Sequence, residues 1–211
     1  IINPEIINFM IRNGSGIICL ALTTSQIEKL GLDYMVSPKA NNSAYQTPFT
    51  VSIEARQAVS TGVSAQDRST TILTAVNANS TAADLAKPGH VFPLHARPGG
   101  VLERSGHTEG SVDLVTLAGF KPAAVLCELM HPDGSMAAGS YLETFAQENQ
   151  LTLVSIEDVI SYRRTYENLV EEKAETVLPL EKYGDFKFEI LKEKFSSAEH
   201  VVFSKPSLVH P

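Results

Sequence analysis

Cysteine is scarce: Cys19 and Cys127 are the only two in 211 residues, and no Cys-x-x-Cys pair exists. That excludes a disulfide-stapled domain and points to free thiols in a reducing compartment. No block of Lys or Arg interrupts a chain of net charge −7. Nucleic acid and anionic membrane are therefore excluded as expected partners, and an anionic ligand needs a local basic pocket or a metal. No apolar run reaches the ~20 residues that cross a bilayer, and no signal peptide is visible. A cytoplasmic location is expected, with a plastid as the alternative if a transit peptide has been removed. Ile1 stands where a Met would open a gene product, so a processed or truncated N-terminus is expected. Charged residues are sparse at 19%, against 43% hydrophobic. That composition supports a sizeable core and argues against disorder.

Internal repeats and low-complexity tracts are also missing, so organisation is read from hydrophobic pattern. Residues 2–12 predict a helix stopped by Asn13-Gly-Ser-Gly16. Ile17–Leu22 predicts a strand and Thr24–Leu30 a helix. Ser37–Thr47 is a polar loop, Phe49–Glu54 a strand, and Ser60–Ala65 a small-residue loop before a helix from Ser69 to Asn77. Gly89–His95 and Gly100–Leu102 predict strands around a turn. Helices are expected at Thr108–Ala118, Tyr141–Asn149 and Ile156–Tyr166, with strands at Ala123–Glu128 and Thr152–Ser155 and a tight turn at Pro132-Asp-Gly134. The interleaving favours an α/β (α+β) domain: a mixed sheet with flanking helices, layered, over residues 1–166. Glu167–Glu175 reads as a charged linker. Thr176–Leu180, Phe186–Leu191 and Glu199–Phe203 then predict a short β-rich C-terminal segment.

Chemistry concentrates in residues 89–114, which bring His90, Arg104, His107, Thr108 and Glu109 into one Gly/Pro-punctuated stretch. Arg104 offers a fixed donor fork for phosphate. Thr108 sits where a helix begins, and helix N-terminal N–H groups favour an anion there. His107 can bind a metal or move a proton. The bland reading is a well-capped turn with an ion pair. Glu128 closes an apolar β-like run, where burial would raise its pKa toward a useful acid/base range; the bland reading is an ion-paired strand-end residue. A lone His90 at a strand start is more often structural than catalytic, and is retained for its closeness to the Arg104–Thr108 turn. His95 has an ordinary alternating context. Cys19 and Cys127 read first as small core residues. Thr61–Arg68 could line a sugar-phosphate pocket, but it lacks the Gly-Lys-Ser/Thr ending of a nucleotide-binding loop.

Taken together, Gly14-Ser-Gly-Ile-Ile-Cys-Leu20, Thr61-Gly-Val-Ser-Ala65 with Asp67-Arg68, Pro88-Gly-His-Val-Phe-Pro-Leu94, Gly99-Gly-Val-Leu102, Arg104-Ser-Gly-His-Thr-Glu109, Asp113-Leu114, Leu117–Pro122 and Val125-Leu-Cys-Glu128 resemble the 3,4-dihydroxy-2-butanone-4-phosphate synthases of riboflavin biosynthesis. The resemblance spans Asn8 to Tyr166. It implies a homodimeric enzyme, with its site near the subunit interface, that uses Mg2+ or Mn2+. The implied reaction turns D-ribulose 5-phosphate into L-3,4-dihydroxy-2-butanone 4-phosphate and formate. Carried over by position, His107 resembles the metal ligand. Arg104, Ser105, Gly106, His107 and Thr108 resemble substrate contacts, with Tyr45 and Asp67 as further pocket residues. Glu128, His90 and Cys19 match catalytic positions.

Two departures accompany the resemblance. Family members carry an acidic loop of the Asp-Asp-Glu-Asp-Arg-Glu-Asn-Glu-Gly-Asp type ahead of the region equivalent to Ile1, and these 211 residues contain no such run. Magnesium at His107 then lacks its carboxylate oxygen ligands. The alternative expectation is a non-catalytic homologue, a scaffold or dimerisation module. Met136-Ala-Ala-Gly139 also replaces the usual Met-Ala-Arg. In the tail, Leu178-Pro, Tyr183-Gly-Asp-Phe186 and Glu199-His200 resemble the start of a GTP cyclohydrolase II domain at 176–211, implying a bifunctional parent. The zinc-binding cysteines of that domain are absent here.

Overall fold

Asn3 opens the first helix, α1 (Pro4–Phe9), by accepting the Ile6 N–H at 2.8 Å, with Pro4 at a position where its missing N–H is harmless. A π-helical turn extends it through Met10–Gly14. The structure is a computed structural model that describes residues 2–205. Ile1 and residues 206–211, the end of the expected C-terminal segment, lie outside the described residues. The chain folds as two compact units, Ile1–Val159 and Ile160–Pro211.

In the first unit, the apolar run from Ile17 delivers β1 (Cys19–Leu22), buried at every position. Burial on both faces is what a continuous rather than alternating run demands. It is followed by α2 (Thr24–Lys29), β2 (Ile53–Ala55), α3 (Ala65–Val76), β3 (Leu85–His95), α4 (His107–Leu117), β4 (Ala123–Leu126), α5 (Ser140–Glu148) and α6 (Ile156–Tyr166), in which the division between the units falls. The sheet order is β2-β3-β1-β4, with β1 parallel to β3 and antiparallel to β4. Alternation along β1 splits the core. Ile18, Leu20 and Leu22 join Ile7, Ile27, Leu30, Ile53, Ile72 and Val91 on the face covered by α1 and α3. Ala21 joins Ala96, Val112 and Leu126 on the face covered by α4. Each fully buried Leu or Ile contributes about 1.5–3 kcal/mol relative to exposure. The expected mixed sheet with flanking helices is what the chain forms.

Several local expectations need correction. Gly100–Leu102 is a 3-10 turn rather than a strand, because Asp113 accepts the Val101 N–H at 2.9 Å and Gly100 takes φ +60°. Thr152–Ser155 is exposed and unpaired as a ladder; the Ser155 hydroxyl instead exchanges bonds with Asp158 as the cap of α6. The helix expected from Ser69 starts four residues earlier, since the Ser64 hydroxyl accepts the Asp67 N–H at 3.0 Å. Only Ile53 and Glu54 of the expected Phe49–Glu54 strand fall in β2, which runs on to Ala55; Ser52 turns its hydroxyl to the Gly89 N–H at 3.1 Å.

The second unit is an antiparallel sheet of β5 (Val170–Leu180), β6 (Gly184–Glu193) and β7 (Glu199–Ser204), in that order. The expected linker at 167–175 is therefore mostly strand. Its acidic residues are accommodated by basic neighbours: Glu171 pairs across from Lys192, and Lys187 reaches Glu175 at 3.2 Å and Glu189 at 2.9 Å.

Candidate active site

Glu109 is the anchor of the Arg104–Thr108 turn. It lies in the first turn of α4 with no accessible surface. Its Oε1 accepts the Arg97 N–H at 3.1 Å, and its Oε2 receives Arg104 Nη1 at 2.6 Å. Arg104 Nη2 reaches the Tyr45 carbonyl at 3.1 Å. The guanidinium is thus clamped on two sides and keeps its other N–H donors for a ligand. Gly106 caps α4 and lets the guanidinium lie close: a Cβ there would stand 2.1 Å from Arg104 Nη1, so a larger residue would displace the Arg104 side chain. Thr108 is buried, while Ser105 and His107 are exposed. The expected phosphate contacts therefore share one helix N-terminus, where the helix dipole adds favourable potential for an anion. Tyr45 contributes its backbone; its side chain is 83% exposed. A cleft of about 380 Å³ adjoins this group, lined by Tyr34, Tyr45, Phe49, His95 and Arg97 among others. His95 is fixed there, with Nε2 2.8 Å from Thr24 Oγ1 and Nδ1 bonded to the Tyr34 hydroxyl. Burial, aided by the Arg97 charge, pushes its pKa down, which keeps it neutral.

A second group gathers at the other end of β1. His90 and Glu128 lie level with Ile17, flanking it on β3 and just past β4, because Cys19 pairs with both Phe92 and Leu126. Roughly 16 Å of strand separates His90 from His95, five residues at about 3.3 Å each. The Arg104 group and the His90/Glu128 group thus occupy opposite ends of the sheet. His90 Nδ1 stands 2.8 Å from Glu54 Oε2, with the side chains 43% and 15% exposed. Glu54 went unnoticed in the sequence; the signal for it was a carboxylate inside the apolar run Thr50-Val-Ser-Ile-Glu-Ala55.

Glu128 corrects an expectation. It is exposed rather than buried, since β4 ends two residues earlier at Leu126. Its Oε2 accepts the Ile17 N–H at 2.8 Å. The Gly14-Ser-Gly16 motif exists to admit it: a Cβ on Gly16 would stand 2.5 Å from Glu128 Oε2. Cys19 lies on β1 beside this group. It is buried, and burial followed by the Glu128 charge pushes its thiol up to about 12. A thiol shifted this way is protonated, not thiolate, at neutral pH. Asp67 is spent on the loop before α3. Its carboxylate accepts the Ser60 N–H at 3.1 Å, the Ser60 hydroxyl at 2.7 Å and the Gly62 N–H at 3.0 Å. The Ser60 hydroxyl, then its N–H, holds the Asp67 carboxyl below the usual range.

His107 has an exposed ring at the start of α4 and does not make a metal shell by itself. Among the described residues, the group of three His, Cys, Asp or Glu donors close enough to share an ion is Glu172, Glu175 and Glu189 in the second unit. The Lys187 ammonium already neutralises two of those. Magnesium requires several oxygen ligands at close range. Among the described residues no such group of three includes His107.

Comparison with known proteins adds independent findings. Residues 1–162 match the family model described as 3,4-dihydroxy-2-butanone 4-phosphate synthase. The chain is 47% identical over 202 residues to monofunctional riboflavin biosynthesis protein RIBA 2, chloroplastic, of Arabidopsis thaliana, covering 96% of this chain and 42% of that protein. It is 58% identical over 156 residues to the 3,4-dihydroxy-2-butanone 4-phosphate synthase of Shewanella halifaxensis, covering 74% and 73%. The chain therefore spans about two fifths of the plant relative's length. Among solved structures, RibBX, a two-domain 3,4-dihydroxy-2-butanone 4-phosphate synthase from A. baumannii, superposes with TM-score 0.84 at 40% identity, over 97% of this chain and 60% of that one. A synthase of the same name in complex with two magnesium ions superposes with TM-score 0.74 at 35% identity, over 79% and 82%.

Proposed function

The chain belongs to the 3,4-dihydroxy-2-butanone 4-phosphate synthase family, and from that premise we propose that the whole protein converts D-ribulose 5-phosphate into L-3,4-dihydroxy-2-butanone 4-phosphate and formate. The observation that carries this reading is the Arg104 clamp at the N-terminus of α4. A buried carboxylate holds the guanidinium beside free helix N–H groups, which suits a phosphate monoester. Arg104, Ser105, Gly106, His107 and Thr108 bind the phosphate end, with Tyr45 lining the approach. Holding that end fixes where the sugar carbons lie. His90 and Glu128 move protons at the carbon skeleton during enolisation and loss of water. Glu128 is exposed and reachable by a ligand, which supports that role.

Support for a divalent cation comes from the relative solved with two magnesium ions. His107 serves as one ligand, with carboxylate ligands coming from outside the described residues. When bound, the cation would stabilise enediolate charge. We further read the protein as a homodimer. The two residue groups stand at opposite ends of one sheet, so a second copy can bring one group to the other. Leu114 and Leu117 of α4, with Phe120 beyond it, are exposed large apolar residues that a partner would cover. Among the described residues no helix is long and apolar enough to cross a membrane. The chloroplastic plant relative supports the plastid alternative for location. The plant relatives that match the tail differ in name: RIBA 2 of Arabidopsis thaliana is named monofunctional and RIBA 1 of the same plant bifunctional, and the latter supports a bifunctional parent.

The test is the mass of the product. Incubation of the whole protein with D-ribulose 5-phosphate should yield a four-carbon phosphate, one carbon shorter than the substrate. An unchanged five-carbon phosphate, or an isomer of it, would overturn the reading.

A further inference from the structure

We propose that Glu54 is a positioning residue for His90: it fixes the ring so that Nε2 is the free, proton-accepting nitrogen. The inference rests on the acid/base reading of His90. An ionised carboxylate can only accept, so the 2.8 Å contact requires the hydrogen on His90 Nδ1. In the neutral ring, Nε2 then carries the lone pair and points away from Glu54.

Three features show that this pair is built rather than incidental. First, the pairing of β2 with β3 jumps from Ile53↔Val91 to Glu54↔Ala86. Residues 87–90 are thereby extra length on β3, and His90 ends that excursion. Bulges of this kind re-aim side chains and favour functional sites. The backbone approach is tight, since a Cβ on Gly89 would fall 2.0 Å from the Ile53 carbonyl oxygen. Second, the Ser60–Gly62 loop lies directly on the Glu54 carboxylate. A Cβ on Gly62 would stand 1.7 Å from Glu54 Oε1, and the backbone there has φ +85°. Third, the loop is itself pinned by Asp67 through Ser60 and Gly62. The order of support runs from Asp67 to the loop, from the loop to Glu54, and from Glu54 to His90. Glu54 is 85% shielded from solvent on this account, whereas His90 keeps 43% of its side chain open toward a ligand.

The test uses the full chain carrying Glu54→Ala or Glu54→Gln, with His90→Ala as reference. The readouts are formate turnover and the 15N resonances of the His90 ring. Carboxylates that orient functional histidines typically matter by about 10–100-fold. Glu54→Ala should lower kcat by that factor with KM within about 3-fold, and the ring should lose its single Nδ1–H form. Glu54→Gln, which can still accept from Nδ1–H, should recover most of the loss and keep the Nδ1–H form; if the alanine variant does not fold, loss of that form in a folded Glu54→Gln overturns the inference. Wild-type kcat or unchanged ring resonances in Glu54→Ala would overturn the inference. If His90→Ala keeps full turnover, the acid/base reading fails instead, and the ring resonances alone then decide whether Glu54 positions His90.

Discussion

Replacing Glu109 by Gln tests the clamp most searchingly, because it changes charge while keeping shape. The carboxylate has no accessible surface and bonds Arg97 N–H and Arg104 Nη1 at 3.1 and 2.6 Å. A hydrogen bond to a charged group contributes about 1.5–3 kcal/mol, and breaking a buried ion pair costs about 3–5 kcal/mol. Arg104 retains 24% exposure, so water takes up part of its charge in the variant. A loss of about 2–4 kcal/mol is expected. Glu109→Ala should lose about 1 kcal/mol more, because the Arg97 N–H then has no acceptor. Urea unfolding followed by circular dichroism measures the stability of each. The same substitution frees the guanidinium to wander. KM for D-ribulose 5-phosphate should therefore rise about 10-fold, while reaction with unphosphorylated ribulose stays as weak as before. A stability change under about 0.5 kcal/mol, or an equal effect on both sugars, would refute the reasoning.

Three further outcomes are expected. Glu128→Gln should lower turnover by at least about 100-fold with an unchanged circular dichroism spectrum; near-normal turnover removes Glu128 from the chemistry. Cys19→Ala should keep turnover within about 3-fold, and the wild-type thiol should resist alkylation in the folded protein at neutral pH. With the folded thiol at about 12 against an ordinary 9.0, the folded state holds its proton longer. Wild type should then lose stability as pH climbs from about 9 toward 12, and Cys19→Ala should lose less. The Asp67 carboxyl has its folded pKa lowered from 3.8, so its stabilising contribution is present above that value and disappears as pH falls through the lower folded one. Asp67→Asn should lower Tm at neutral pH and flatten the acid limb of Tm against pH; an unchanged limb contradicts the role of the Ser60 loop bonds.

Much of this architecture could be read from local pattern. The unbroken apolar run into Leu22 announced a strand buried on both faces. Arg104-Ser-Gly-His-Thr108 announced a helix N-terminus at Thr108, and the helix starts one residue earlier, with Gly106 as its cap. What escaped was long-range. Glu54 meets His90 across 36 residues and Glu128 meets Ile17 across 111, and no window of sequence contains either pair. The burial expected of Glu128 failed for the same reason: the apolar run before it continues one residue past the end of the ladder, and a chain turning toward Gly16 carries the carboxylate out to solvent. The acidic stretch at Glu171–Glu175 was misread because charge suggested a linker. Lysines on the neighbouring strand, invisible to a local reading, make it a strand instead.

The central claim is that these residues release one carbon of a phosphorylated ketose as formate. Formate measured by an enzymatic assay, against D-ribulose 5-phosphate consumed, tests it most directly. The account predicts one formate per substrate for the whole protein with magnesium supplied, and loss of formate in His90→Ala and Glu128→Gln. Substrate consumed without formate, or formate undiminished in both variants, would contradict it.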